Sequence, residues 1–239
     1  MTAPEAGVLY VVAKAPQEGT SKTRLSPPLT PAAAADLARA FLLDTVAAVQ
    51  AAGIAARIIC RDEPERAALQ EIVAAAAAVH VQDGSGLGDA LTSAFVQGLE
   101  DGFPATGVLA MDTPTVSPRV LRAAFTCLEQ ANDVALGPAE DGGYYLLAAR
   151  SVHPGLFQDM IWSTSTVARE TLDRCLATGL RPHLLPFWRD VDRAADLEWL
   201  DGELRRAPAG VAPHTRLAWA EISADRGTDA VGDGSLAAG

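Results

Sequence analysis

The chain of 239 residues has few of the residues that build disulfide-stapled or metal-centred proteins. Its three cysteines, Cys60, Cys127 and Cys175, lie far apart and form no CxxC motif. Its four histidines are scattered without the spacing of a metal site. We therefore expect buried free thiols in a reducing compartment and no metal centre built on histidine.

Targeting segments and an excess of positive charge are also missing. The N-terminus lacks a charged stretch followed by an apolar core, and no apolar run approaches the ~18 residues that a membrane span needs. We expect a cytoplasmic protein without a signal peptide and without a membrane partner. Lys and Arg number 19 against 30 Asp and Glu, which gives a formal net charge of −11. This acidic balance argues against nucleic acid as a partner.

Length and composition indicate one domain. The hydrophobic content of 49% supplies a full core without disulfides. We expect the domain to span residues 6–220. The segment 221–239 is rich in Gly, Ala and Asp, and this composition predicts a flexible C-terminal tail. The sequence leaves the oligomeric state open, and it is compatible with a homodimer.

Apolar runs alternate with amphipathic segments along the chain. The run "GVLYVVAK" is typical of a strand covered on both faces, and Thr30-Pro31 and Ser117-Pro118 are typical helix starts. This alternation predicts an α/β sandwich with a mostly parallel sheet. In "DVALGPAEDGGYYLLAA" two strands follow each other without a helix, which predicts an antiparallel element there. Ligands of such sheets bind outside the carboxyl ends of the strands.

A basic loop follows the first strand. In "VVAKAPQEGTSKTRLSPPL" the cations Lys14, Lys22 and Arg24 gather against the acidic sign of the chain. The loop contains neither a P-loop nor a GxGxxG motif. A solvated surface loop is the plain alternative. Its place after a buried strand favours phosphate binding instead, with Arg24 suited to bidentate contacts and the lysines to point contacts.

Aspartates follow two other elements. Asp112 ends the strand of "TGVLAM", and Asp190 and Asp192 lie where "RDVDRAADL" turns into a helix. Mg²⁺ is typically held by one or two carboxylates together with substrate phosphates. We therefore predict Mg²⁺ or Mn²⁺ on Asp112, with Asp190 or Asp192 as a second ligand. A turn role for Asp112 and a helix N-cap role for Asp192 remain open alternatives.

Two further segments favour an acceptor site. The "EDGG" stretch reads as a hairpin turn, and Gly142 and Gly143 would also let a ligand approach the backbone beside Asp141. In "IWSTSTV" four hydroxyl residues precede a helix, although one suffices for capping. The surplus, with Ser163 and Thr164, predicts a site for an acceptor phosphate or carboxylate.

A third glycine-containing segment gives a weaker signal. "QDGSGLGDAL" places three glycines before a helix, and we assign Gly86 and Gly88 to phosphate or base binding. Loop flexibility explains these glycines equally well.

Together, "KTRL", "MDTPTV", "GPAEDGGYYLLA", "WSTSTV" and "DVDRAADL" resemble the DUF2064 family of GT-A proteins, which are often labelled glycosyltransferase-like. The resemblance runs from about Val8 to Leu200. Parts of the chain also resemble the 2-phospholactate/phosphoenolpyruvate guanylyltransferases, which share a KTRL-like loop. The chain departs from the usual "G-x-D-S-P-T-L" form at "AMDTPTV", and it has Arg193-Ala194 where a Thr-Pro is usual.

The resemblance implies a GT-A, Rossmann-like three-layer sandwich with a divalent-metal nucleotide site. By position, it puts Lys22 and Arg24 on phosphates and Asp112 on the metal, with help from Asp190 or Asp192. These implied roles agree with those that the residues suggest by themselves.

Two chemistries and one non-enzymatic role fit the sequence. The basic loop and the lone Asp112 favour nucleotidyl transfer from an NTP to a small phosphorylated or carboxylate acceptor, with release of pyrophosphate. Lys22, Arg24, Asp112 and Asp141 are the candidate catalytic residues. Glycosyl transfer from an NDP-sugar, with Glu140 or Asp141 as base, is the alternative. A catalytically inactive nucleotide-binding or partner subunit is the third.

Overall fold

The computed structural model describes the backbone of residues 6–232 and the side chains of residues 6–225. Strands and helices alternate as the sequence predicts, up to the pair β5 and β6. The strands are β1 Val8–Val12, β2 Ala55–Cys60, β3 Ala78–Val81, β4 Thr106–Ala110, β5 Val134–Pro138, β6 Tyr144–Ala149 and β7 Pro182–Leu184. The helices are α1 Pro31–Ala51, α2 Glu63–Val73, α3 Leu87–Glu100, α4 Pro118–Glu129, α5 Val167–Ala177, α6 Asp196–Arg206 and α7 Pro213–Gly232.

The strands form one sheet in the order β3-β2-β1-β4-β6-β5-β7. β6 runs antiparallel to both of its neighbours, β4 and β5, and every other pairing is parallel. The predicted α/β sandwich with a mostly parallel, mixed sheet is therefore confirmed. The carboxyl ends of six strands, together with the first residue of β6, meet at one edge of the sheet.

Helices cover both faces of the sheet, as the apolar character of β1 requires. Leu9 and Val11 of β1 pack toward α1, α2 and α4, whereas Val8 and Tyr10 pack toward α3 and α5. A further apolar cluster joins α1 to α6 and α7. Because β1 is buried on both faces, it fixes the position of the loop that follows it.

The two predicted helix starts are present. The Thr30 side chain accepts a hydrogen bond from the backbone N–H of Ala33 at 3.1 Å. The Ser117 hydroxyl accepts one from the N–H of Val120 at 3.4 Å. Pro31 and Pro118 follow these capping residues at the first helical position, where the N–H that proline lacks would have no partner within the helix.

The described part of the predicted flexible tail, residues 221–232, is helical. α7 continues to Gly232, and Ile222 within it is buried. The helix begins on α1, where buried Asp44 accepts hydrogen bonds from the N–H groups of His214 and Thr215 at 3.0 and 2.7 Å. The remaining tail residues, 233–239, lie outside the described residues. Between residues 6 and 232, no helix is both long enough and apolar enough to cross a membrane.

Candidate active site

Two cavities open along the edge of the sheet where the strands end. The first cavity lies over the ends of β1, β2, β3 and β4, and the second over the ends of β4 and β5 and the start of β6. They meet at Asp112, Asp192 and Leu87, which line both. Strand order reverses between β1 and β4, so the meeting point lies at the position where open α/β sheets bind their ligands.

The first cavity has a volume of about 550 Å³. The basic loop supplies Lys14, Thr20, Ser21 and Lys22 to its wall. Three cationic and three acidic side chains line it, so its formal charge is balanced: Lys14, Lys22, Arg61, Glu65, Asp112 and Asp192. The exposed side chain of Lys14 has no ion-pair partner within residues 6–225.

The second cavity is larger, at about 790 Å³, and it is acidic. Six carboxylates line it against three guanidinium groups: Asp112, Glu140, Asp141, Asp190, Asp192, Asp196, Arg24, Arg189 and Arg193. Its remaining wall includes Trp162, Ser163 and Thr164. The predicted acceptor residues of the "WSTST" segment therefore lie beside the predicted metal ligands.

An ion cluster occupies the meeting point of the two cavities. The Lys22 ammonium lies 2.9 Å from Asp112 Oδ2 and 3.4 Å from Asp192 Oδ1. Arg24 donates from Nη1 to Asp192 Oδ2 at 2.8 Å. Only 10% of the Lys22 side chain is exposed, against 67% of that of Arg24. The structure thus brings four predicted site residues together, although they come from segments far apart in the sequence.

Arg24 lies apart from Lys14, with which the sequence grouped it. Arg24 lines the second cavity, whereas Lys14 and Lys22 line the first. Its guanidinium, on the short 3₁₀ turn Thr23–Leu25, donates a hydrogen bond to Asp192. Asp192 faces these two cations and does not cap α6, whose N-cap residue is Ala195.

Asp192 of the cluster and the neighbouring Asp190 have pKa values shifted in opposite directions. For Asp192, burial alone would raise the pKa, but the charges and hydrogen bonds of Lys22 and Arg24 outweigh burial and lower it. For Lys22, burial alone would lower the pKa, but Asp112 and Asp192 raise it overall. The pKa of Asp190 rises to about 6 because of burial and of the negative charges of Asp112 and Asp141. The negative charges of Asp112 and Asp141 therefore both disfavour ionisation of Asp190 in the second cavity.

The carboxylates here suit a divalent ion whose coordination shell is completed by oxygens of substrate phosphates. Within residues 6–225 there is no cluster of three or more His, Cys, Asp or Glu side chains that could hold a metal by itself. Asp112 and Asp192 nevertheless converge on one cation, since the Lys22 ammonium bridges them. Mg²⁺ sites of one or two carboxylates plus substrate oxygens need no third protein ligand. The residues present fit such a site.

The predicted acceptor residues in the hairpin turn between β5 and β6 do not all line the second cavity. Asp141 and Gly143 line the second cavity, and Asp141 Oδ1 accepts a hydrogen bond from the Gly143 N–H at 2.8 Å. Gly142 lines neither cavity. Its φ is +91°, and a Cβ built on it would lie 2.1 Å from the backbone oxygen of Ser165. Gly142 therefore packs the turn against the start of α5, a role that differs from predicted acceptor binding.

The hydroxyl-rich segment does not cap α5 with its side chains. The N-cap residue is Thr166, and it makes no side-chain cap hydrogen bond. Thr164 Oγ1 instead bonds the carbonyl of Ile161 at 3.1 Å. Ser163, Thr164 and Ser165 are exposed on the wall of the second cavity, where their hydroxyls can meet a ligand.

Only one of the two glycines predicted to bind the nucleotide lines the first cavity. Gly86 lines the first cavity, as the phosphate-binding prediction requires. Gly88 does not line it, because it faces Trp162 and the carbonyl of Phe157 on the other side of α3. The N–H groups of Ser85 and Gly86 are already accepted by Asp89 Oδ2 at 2.9 Å each. These two backbone groups are therefore occupied by a carboxylate of the chain itself.

Sequence reasoning missed a support for the segment 189–193. Asp196 Oδ2 accepts hydrogen bonds from the N–H groups of Asp192 and Arg193 at 3.0 and 2.7 Å. Its other oxygen accepts from Arg189 Nη2 at 2.8 Å, and Arg189 Nε also lies 3.7 Å from Glu140. This network links the hairpin turn to the segment that carries Asp190 and Asp192. The only sequence signal for it was an aspartate in the first turn of a helix, which is common.

The strand order and directions place the chain among the Rossmann-like α/β sandwiches with a mostly parallel, mixed sheet. Residues 45–164 match the family DUF2064, "Uncharacterized protein conserved in bacteria". The match covers half of the chain, and the protein belongs to this family. No curated protein sequence matches the chain.

Solved structures share the fold. A protein of Desulfovibrio desulfuricans G20, provisionally assigned as a nucleotide-diphospho-sugar transferase, is 26% identical, with a TM-score of 0.83 and coverage of 92% of this chain and 96% of that one. The inositol-1-phosphate CTP transferase of T. maritima is 15% identical, with a TM-score of 0.56 and coverage of 87% and 99%. A nucleotidyl transferase from Methanothermobacter thermautotroptrophicus is 19% identical, with a TM-score of 0.53 and coverage of 84% and 99%. The last two likenesses concern the fold alone.

Proposed function

We propose that the protein is a nucleotide-utilising transferase that binds its donor in the first cavity and its acceptor in the second. The observation that carries this proposal is the junction of the two cavities at Asp112 and Asp192. Donor and acceptor would meet there within reach of Lys22. The provisional assignment of the 26% identical relative as a nucleotide-diphospho-sugar transferase supports the same class of donor.

The first cavity suits a nucleotide for reasons of charge and shape. Lys14 and Lys22 line the same wall, with the hydroxyl residues Thr20 and Ser21 between them. Phosphate oxygens would receive point-charge contacts from the lysines and hydrogen bonds from the hydroxyls. The nucleoside would then extend toward Gln82, which directly follows β3, and Gly86, which directly precedes α3.

A divalent ion, Mg²⁺ or Mn²⁺, would be held by Asp112 and Asp192, with Asp190 nearby. When bound, such an ion neutralises phosphate charge and polarises phosphoryl oxygens. The side chains of the chain have their own tasks. Lys22 and Lys14 would orient the phosphates, and the shared wall at Leu87 and Asp112 would bring the two substrates into line.

Nucleotidyl transfer is the first candidate reaction. An acceptor oxygen would bond to the α-phosphorus of an NTP while the bond from that phosphorus to the bridging oxygen breaks, and pyrophosphate would leave with the electron pair. The two lysines on one wall of the first cavity support it, because a triphosphate presents more charge to them than a diphosphate does. Such a reaction needs positioning and neutralisation of charge and no covalent nucleophile of the protein.

Glycosyl transfer from an NDP-sugar is the second candidate, and the charge of the second cavity favours it. Six carboxylates against three guanidinium groups repel an anionic acceptor and suit a neutral hydroxyl compound. The acceptor oxygen would bond to the anomeric carbon, the nucleoside diphosphate would leave, and Asp141 or Glu140 could accept the proton. Both residues line the cavity.

Product analysis tests the proposal and separates the two reactions. The protein is incubated with Mg²⁺, a deproteinised small-molecule extract as acceptor source, and each NTP or NDP-sugar in turn. We expect acceptor-dependent release of pyrophosphate from one NTP, and a loss of at least about a hundredfold in Asp112→Asn, in line with several kcal/mol for a lost metal ligand. Asp36→Asn, which removes an exposed carboxylate on α1, is the control and should keep full activity.

Other products would change the conclusion. Release of a nucleoside diphosphate from an NDP-sugar, without pyrophosphate from any NTP, selects glycosyl transfer. Donor binding without either product would leave a nucleotide-binding subunit. Absence of binding for every donor would contradict the proposed function as a whole.

A further inference from the structure

The Asp112–Asp192 pair already holds a cation that belongs to the chain. The Lys22 ammonium lies 2.9 Å from Asp112 Oδ2 and 3.4 Å from Asp192 Oδ1, and 10% of the Lys22 side chain is exposed. The two carboxylates come from the end of β4 and from the segment before α6. Lys22 reaches them from the basic loop and is the one side chain that touches both, as far as residues 6–225 are concerned.

This geometry sets Lys22 and a divalent ion in competition. Mg²⁺ lies about 2.0–2.1 Å from its oxygen ligands and needs the same lone pairs that the ammonium uses. An ion shared by Asp112 and Asp192 would therefore occupy the space of the Lys22 Nζ atom. Arg24 could not replace Lys22 as the bridging cation. It contacts the other oxygen of Asp192, whereas Asp112 is paired with Lys22.

Nucleotide phosphates would remove the competitor. Lys22 forms part of the wall of the first cavity, beside Thr20 and Ser21, so a phosphate chain there would offer its ammonium a new anionic partner. The lysine side chain is a flexible stem that can turn between partners a few ångströms apart. Its departure would leave Asp112 and Asp192 facing each other without a bridging cation.

We propose that Lys22 is the resident cation of the Asp112–Asp192 pair, and that a divalent ion competes with Lys22 for this pair until phosphates of the donor draw Lys22 away. This inference rests on the proposed function for the identity of the donor. It makes binding of metal and donor mutually dependent, since each favours the state in which Lys22 has left the carboxylates. By thermodynamic linkage, the metal and the donor must strengthen each other's binding by the same factor.

Mn²⁺ binding without nucleotide is the test. We would titrate the wild type, Lys22→Met and Lys14→Met with Mn²⁺ alone and measure free Mn²⁺ by electron paramagnetic resonance. Lys22→Met should bind one Mn²⁺ about tenfold more tightly than the wild type, within the usual range of coupling. Lys14→Met is matched, because it removes a lysine from the same cavity that contacts no carboxylate within residues 6–225, and its Mn²⁺ affinity without nucleotide should equal that of the wild type.

The outcomes decide the inference either way. Equal Mn²⁺ affinity in the wild type and Lys22→Met, or weaker binding in the variant, would overturn it. Lys22→Gln removes the same charge with a different shape and should repeat the result. If both variants fail to fold in metal-free buffer, recovery of folding by Mn²⁺ supports the inference and its absence overturns it. Failure of the proposed function would appear separately, as absence of nucleotide binding to the wild type.

Discussion

At the scale of single residues, the segment 189–193 depends on Asp196. One oxygen of this carboxylate accepts the N–H groups of Asp192 and Arg193, and the other accepts the guanidinium of Arg189. The backbone of Asp192 is therefore fixed before any ligand arrives. Asp196 is in this sense a positioning residue, since it acts on Asp192 through the backbone.

Asp196→Ala should lower the free energy of unfolding by about 1.5–3 kcal/mol, because hydrogen bonds that involve a charged group are lost and the half-buried Arg189 is left without its main partner. Urea unfolding measures this change. The matched control is Glu198→Ala, which removes an exposed carboxylate from the same first turn of α6 and should cost less than about 0.5 kcal/mol. Equal losses in both variants would show that Asp196 supports nothing beyond the charge of the helix terminus.

At the scale of elements, the β5–β6 hairpin and the start of α5 form one unit behind the second cavity. The Gly142 carbonyl accepts a hydrogen bond from the Ala168 N–H at 3.0 Å, and Gly142 itself lies against the backbone of Ser165. Any side chain at position 142 would force these two segments apart. The turn therefore holds the hydroxyl-rich wall of the cavity in place.

Gly142→Ala should destabilise the protein by about 2 kcal/mol, because the new Cβ meets backbone at 2.1 Å and because φ is +91°. Thermal unfolding measures the effect. Gly155→Ala is the control, since a Cβ at Gly155 has no neighbour within 4 Å among the described residues. An unchanged melting temperature in Gly142→Ala, with weakened ligand binding, would instead favour the acceptor-binding role that the sequence suggested.

Elements and their order were readable from the sequence, and several contacts between them were not. The strand–helix alternation, the antiparallel β6 and the caps at Thr30 and Ser117 follow from local patterns, and all are present. α7 was missed because its sequence has few apolar side chains to bury, and its start depends on Asp44 in a distant helix. A tertiary contact of that kind has no signature in the segment that it stabilises.

In the candidate site too, the sequence predicted which residues lie together but not how their side chains contact one another. The rule that strand ends share one edge of a sheet correctly grouped Lys22, Asp112 and Asp192. It could not say that the lysine would bridge the two aspartates, or that Arg24 would line the second cavity. For Gly88, spacing alone could not tell which side of α3 it faces. Direction of a side chain depends on backbone dihedral angles that these glycine- and proline-containing loops leave open.

At the scale of the whole molecule, charge divides the edge of the sheet into two regions. The chain carries a formal charge of −11, yet the first cavity is balanced while the second has twice as many carboxylates as guanidinium groups. Such a gradient would draw the phosphates of a donor toward the first cavity and away from the second. Under the proposed function, the donor and the acceptor would therefore bind at different ends of this edge.

The central claim is that a nucleotide binds in the first cavity, and calorimetry on two single-charge variants tests it most directly. Lys14→Ala and Arg193→Ala each remove one exposed cation, the first from the wall of the first cavity and the second from that of the second. With Mg²⁺ and the tightest-binding NTP or NDP-sugar, Lys14→Ala should raise Kd about fivefold or more, about 1 kcal/mol, and Arg193→Ala less than about twofold. Equal losses, a larger loss in Arg193→Ala, or no binding of any nucleotide to the wild type would contradict the account.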